Sequence, residues 1–132
     1  MQNSKTTSVT YTISVERMSV FAYHGVLPQE RIAGAQFYVS LEAETEVSSE
    51  AYLDDNLDGT VNYAKLCEIV KHEMSVPSQL LERVAKRICD SVLAHFPSVL
   101  RIHVFIEKEN PPLGIQSQSI GVKLVQERVR GN

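Results

Sequence analysis

Lys108 stands at the end of a run that alternates Ile102, Val104 and Ile106 against His103, Phe105 and Glu107, just before Asn110, Pro111 and Pro112. The alternation has the period of a strand with one packed face. Neither proline can continue a ladder, because each lacks a donor and restricts the residue before it. Lys108 therefore lies where a strand leaves its sheet, on a rigid support from which an amine can exchange protons. Alone, a lysine in such a place is ordinarily a solvated charge. Two carboxylates invite reading beside it. Glu30 is the single acid in the connection from Val26 to Ala35, where a solvated loop glutamate is the ordinary expectation. Glu82 falls in the first turn of a helix, where the helix dipole alone gives a carboxylate about 0.3 to 1 kcal/mol.

Composition narrows the chemistry. The chain of 132 residues has 43% apolar and 22% charged residues and a formal charge of −3. That describes one globular domain spanning 1–132 with a single hydrophobic core. Without a basic block, nucleic acid is not an expected partner. Met1 to Ser8 is polar and expected to be flexible. It lacks the apolar run of a secretory signal, and no stretch reaches membrane-spanning length. The chain is expected in the cytoplasm, where Cys67 and Cys89 read as core thiols. His24, His72, His95 and His103 lack the spacing that places two imidazoles on one metal. Structural or surface roles are expected of them, with no metal and no cofactor.

The elements that must position these groups follow from periodicity. Val9 to Tyr23 reads as a strand with a phase slip near Arg17. Phe37, Val39, Leu41, Ala43, Thr45 and Val47 line one face of a second strand. Ser48 to Gly59 is acidic, has no trusted period, and reads as a solvated connection. A helix starts from Asn62 as N-cap, with Tyr63, Leu66, Cys67, Val70 and Met74 on one side, and stops before Pro77. Ser78 is expected to cap a second helix with its stripe at Leu81, Val84, Ala85, Ile88, Val92 and Phe96. Ile120, Val122 and Leu124 mark a last strand. The resulting order is ββααββ, an α+β fold with a four-stranded antiparallel sheet and both helices on one face. The other face, bearing Tyr38 and Phe105, is left to close against neighbouring subunits.

Five local patterns, taken in order, resemble the dihydroneopterin aldolases, the pterin-cleaving enzymes of folate biosynthesis. They are His24-Gly25-Val26-Leu27 followed by Glu30, Gly34-Ala35-Gln36-Phe37, Thr60-Val61-Asn62-Tyr63, Leu80-Leu81-Glu82, and Lys108-Glu109-Asn110-Pro111-Pro112. No one of them is specific, but their joint order and spacing over about Ile13 to Glu127 are. The resemblance implies the tunnelling fold, in which subunits close a shared barrel as an octamer or a tetramer with active sites between neighbours. It also implies a small pterin substrate, cleaved by acid/base retro-aldol chemistry. Glu82 would anchor the pterin ring with the backbone of Leu81 beside it. Tyr63 would line the pocket from the adjacent subunit, Glu30 would contact the side chain of the substrate, and Lys108 would be the acid/base residue. Arg17 departs from the family, standing where many members have glycine. Gly114 to Ser119 lacks the familiar Pro-Gly pattern.

Three rival readings share the fold. An epimerase of dihydroneopterin or its triphosphate would use the same residues, but a phosphate-selective one should show extra cations at the rim, and Gly114 to Ser119 has none. A zinc-dependent pyruvoyl-tetrahydropterin synthase relative would need clustered histidines. A non-catalytic pterin- or purine-binding ring has no evident use for Lys108.

Overall fold

The computed structural model describes residues 9–109, 114 and 116–129. The expectations for Met1 to Ser8 and for the Asn110 to Pro112 turn lie outside the described residues. Four strands, β1 (Thr10–Ala22), β2 (Ala35–Glu46), β3 (Val99–Glu109) and β4 (Ser119–Glu127), form one antiparallel sheet in that order. Four helices complete it: α1 (Pro28–Ala33), α2 (Ser49–Asp54), α3 (Tyr63–Met74) and α4 (Leu81–His95), with a 3₁₀ turn at Leu57–Gly59.

The core follows from strand alternation meeting helical stripes. Phe37, Val39, Leu41 and Ala43 of β2 share a face with Ile102, Val104 and Ile106 of β3. That face is covered by Leu66, Val70 and Met74 from α3 and by Val84, Ala85, Ile88, Cys89 and Val92 from α4, all buried. Helix α3 lies against β1, and α4 against β3 and β4. The two long helices thus occupy one face, as the sequence requires. Cys89 is buried, while Cys67 is only half-buried.

Two corrections concern the helices. The order is not a bare ββααββ, because α1 interrupts the first strand pair, and α2 with its 3₁₀ turn replaces the expected solvated connection. Both added helices have six residues and bury none of them. A helix without a buried stripe leaves no periodic trace in its sequence. Local signals hold them instead: Pro28 occupies the first turn of α1, and α2 ends at Asp55 in the left-handed region, φ 58°. The second correction is the start of α4. Its N-cap is Leu80, not Ser78, whose backbone N–H bonds His24 and whose hydroxyl donates to the Leu80 carbonyl at 3.2 Å.

The phase slip in β1 is real. Val15 pairs with Leu41 and Met18 with Val39, so Glu16 and Arg17 together oppose Ser40. Arg17 has φ 49°, and its N–H donates to Ser40 Oγ at 2.9 Å. A left-handed residue at a bulge is ordinarily glycine. Here the side chain offsets the strain. The Arg17 guanidinium lies 4.3 Å from the Tyr38 ring centre and pairs with the buried Glu107 at 2.9 Å. Arg17→Ala should therefore lose the ion pair and keep the strain, whereas Arg17→Gly loses only the pair. Urea unfolding should find the glycine variant more stable than the alanine one by about 1 kcal/mol.

Candidate active site

Lys108 comes from the helix-covered face of β3, opposite Phe37 of β2 and Ile120 of β4. It is 7% exposed, contrary to the solvated charge that its place at a strand end suggests. A buried ammonium needs a partner. It finds one in Glu30, whose Oε1 accepts a hydrogen bond from Lys108 Nζ. Glu30 lies in the first turn of α1, and its Oε2 accepts the Leu27 backbone N–H at 3.0 Å. The carboxylate is thereby held in one orientation. The hydrogen bond from Lys108, more than any other influence, keeps its pKa below the ordinary carboxylate value.

Behind this pair the chain leaves β1 through His24, Gly25 and Val26. Arg31 holds that segment, donating from Nη1 to the carbonyls of Gly25 at 2.7 Å and Val26 at 3.0 Å. Gly25 is required for close approach: a Cβ there would fall 2.5 Å from Glu30 Cβ and 2.8 Å from Glu30 Oε2. Gly25→Ala should push the carboxylate off Lys108, lowering kcat/KM about tenfold or more while the protein stays folded. Steady-state rates beside a thermal melt would check it.

The start of α4 contributes to the same site. Glu82 is exposed at its second position, flanked by Leu80 and Leu81. A cavity of about 470 Å³ is lined by Glu30, Lys108, Leu81 and Glu82 together. Val26, Leu27, Ile120 and Val122 make its apolar surfaces, suited to a flat ring with polar edges. One chain thus brings together four of the five expected site residues. Tyr63 is not among those lining the cavity. Contrary to its expected place on the apolar side of α3, it is the first residue of that helix and 70% exposed. Asn62 does cap the helix, accepting the Ala64 N–H at 2.9 Å.

His24 is the wall residue whose place sequence reasoning missed. It is 1% exposed, packed edge-on to Phe37 with centres 5.3 Å apart. Its Nδ1 accepts the Ser78 N–H at 3.1 Å. Its pKa is lowered to about 4, chiefly by burial; the Arg87 charge adds to the shift, the Met74 carbonyl opposes it, and the Lys108 charge adds further. The unfolded ring takes up a proton below its ordinary value of 6.5, whereas the folded ring refuses one until about 4. Stability from this group is complete above pH 6.5 and is lost as pH falls toward 4, by about 3 kcal/mol in all. Denaturant unfolding across that window should show the slope, and His24→Phe should flatten it. The sequence signals were a histidine placed directly where a strand ends and its place at the head of the His24-Gly25-Val26-Leu27 pattern.

Comparison with known proteins identifies the family. The family model described as FolB, dihydroneopterin aldolase, matches residues 13–125. The dihydroneopterin aldolase of Methylorubrum extorquens is 35% identical over 120 residues, covering 88% of this chain and 89% of the relative. That of Bacillus subtilis is 33% identical over 117 residues, covering 88% and 97%. Among solved structures, Escherichia coli dihydroneopterin aldolase in complex with neopterin superimposes with a TM-score of 0.77 at 20% identity, covering 88% of this chain and 98% of that one. At that identity the superposition speaks for the fold. No helix among the described residues is long and apolar enough to cross a membrane. With most of its length matched in sequence and a cavity walled by the residues of the family's motifs, the chain belongs to the dihydroneopterin aldolase family of lyases.

Proposed function

We propose that the cavity between Glu82 and the Glu30–Lys108 pair holds 7,8-dihydroneopterin and cleaves it to 6-hydroxymethyl-7,8-dihydropterin and glycolaldehyde. The observation that carries this assignment is that Lys108, paired with Glu30, lines the same cavity as Glu82. Pterin N3–H and the exocyclic amine present two parallel donors, which match the two oxygens of Glu82. The backbone of Leu81 lies beside them. This orientation points the dihydroxypropyl chain of the substrate at Glu30 and Lys108.

The reaction needs one proton removed and one delivered. Loss of the proton on the second hydroxyl lets its oxygen form the aldehyde as the bond between the first two side-chain carbons breaks. The electron pair passes into the C=N bond of the dihydropterin ring as an enamine, so the ring itself absorbs the charge. Protonation at the first side-chain carbon then gives the hydroxymethyl product. Lys108 delivers and takes protons, directly or through water, and Glu30 holds the ammonium and the substrate chain in place. A pure binding protein has no need of a buried lysine on that wall.

The single chain leaves the site open. Tyr63, Leu53 and Leu57 are exposed along the α2–α3 connection, and β1 and β4 are both unpaired edges of the sheet. An uncovered sheet face and two free edges favour a ring of copies, tetrameric or octameric, in which Tyr63 of one subunit completes the pocket of the next. Two unpaired thiols, one buried and one half-buried, favour a reducing, cytoplasmic setting.

Incubation with 7,8-dihydroneopterin, followed by product analysis, tests the proposal. Hydroxymethyldihydropterin with equimolar glycolaldehyde is the expected result. The side-chain epimer alone would make the chain an epimerase, and unchanged substrate would leave a binding protein.

A further inference from the structure

We infer that His24 is a positioning residue, whose neutral ring clamps the α3–α4 loop and so sets where Glu82 meets the ring of the substrate. The inference rests on the assignment of Glu82 as ring anchor. Two hydrogen bonds form the clamp: Ser78 N–H donates to His24 Nδ1 at 3.1 Å, and Gly25 N–H donates to the Ser78 carbonyl at 3.0 Å. Residue 78 is therefore bound through both its amide and its carbonyl to the segment that leaves β1. Six residues on from His24 stands Glu30, and four on from Ser78 stands Glu82. One contact thus joins the two walls of the cavity at their roots, far from any element common to both in the sequence.

Among the described residues, no other side chain bonds the Ser78 backbone. Arg87 secures the far end of the same loop, donating to the carbonyls of Glu73 at 3.0 Å and Val76 at 2.9 Å. Beyond Val76 the clamp at Ser78 is what fixes the approach to Leu80, and Leu80 has no side-chain cap bond to hold α4 from its own end. The ring suits the task because it is buried between two cations, Arg87 and Lys108, which favour the neutral form. An accepting Nδ1 places the proton on Nε2. A protonated ring would offer a donor where Ser78 already presents one.

Two substitutions separate positioning from packing. His24→Phe keeps the ring shape and removes the acceptor, leaving the Ser78 N–H unpaired. His24→Asn places an amide oxygen near the position of Nδ1 and sacrifices packing. Binding of neopterin and turnover of 7,8-dihydroneopterin are measured beside the melting temperature. His24→Phe is expected to raise Kd and KM tenfold or more with kcat within about threefold of wild type. His24→Asn is expected to restore Kd to within about threefold although it melts lower. Wild-type affinity in His24→Phe, or affinity that follows melting temperature in both variants, would overturn the inference. If wild type binds no neopterin, the pterin assignment fails first. In that case, or if His24→Phe does not fold, imidazole ¹⁵N shifts of the wild-type protein decide the clamp. An unprotonated Nδ1 at pH 7 upholds it, and a proton on Nδ1 refutes it.

Discussion

Glu82→Ala should weaken pterin binding 100-fold or more and leave the fold almost untouched. Two charge-assisted hydrogen bonds of about 1.5 to 3 kcal/mol each are lost from the substrate ring, whose two donors then face no acceptor. Glu82 itself is exposed at the second position of α4. Its structural contribution is then only the dipole interaction, about 0.3 to 1 kcal/mol. The gap between the two magnitudes makes the test sharp. Calorimetric titration with neopterin should show the loss, while urea midpoints of the two proteins stay close. A variant that binds normally would place the ring elsewhere in the cavity. Glu82→Gln keeps one acceptor oxygen and should fall between the two.

Lys108→Ala should do the reverse, sparing binding and lowering kcat by about 100- to 10,000-fold, the range expected of a lost acid/base group. The reason is geometric. Lys108 lines the cavity from β3 and Glu82 lines it from α4, so the amine is assigned to the reacting side chain of the substrate and the carboxylate to the anchored edge of the ring. Single-turnover rates with enzyme in excess would isolate the chemical step from product release. Intact turnover would remove Lys108 from the mechanism. Stability should also change, because Lys108 and Glu30 are an ion pair with little solvent around either group: side-chain exposures are 9% and 16%. Removing the amine leaves Glu30 with the Leu27 N–H and only the weaker pull of the Arg31 charge, a loss that buried pairs feel more than surface ones. Lys108→Met, which keeps the apolar stem packed near Phe37, should be less destabilising than the alanine change while equally slow.

The chemistry proposed here asks for no cofactor because the substrate supplies its own electron sink. What the protein adds is orientation, one mobile proton and a cavity walled by Val26, Leu27, Ile120 and Val122. The Arg17 bulge serves a different end. It lies on the face of the sheet away from the helices, where Glu107 also accepts from the Ser119 hydroxyl at 2.9 Å and Tyr38 donates to Glu109 at 2.7 Å. That polar cluster ties β1, β2, β3 and β4 together near the end of β3 that carries Lys108. An arginine and its carboxylate partner thus hold a bulge position that ordinarily favours glycine.

The division between sequence and structure follows the range of the interactions. Strand faces, the Arg17 slip, the Asn62 cap and the apolar stripes of α3 and α4 are legible because each depends on neighbours within a turn or two along the chain. The candidate site residues were legible through motif order. Composition and period alone left Glu30, Glu82 and Lys108 as ordinary surface charges. Only the folded chain decided that Lys108 is buried, since its partner Glu30 lies 78 positions away and no local pattern records such a meeting. The same holds for His24 and Ser78, 54 positions apart, and for α1 and α2, which bury nothing and so leave no stripe. Local periodicity writes secondary structure into the sequence, whereas the juxtaposition of charges is settled by how the sheet and helices close on one another.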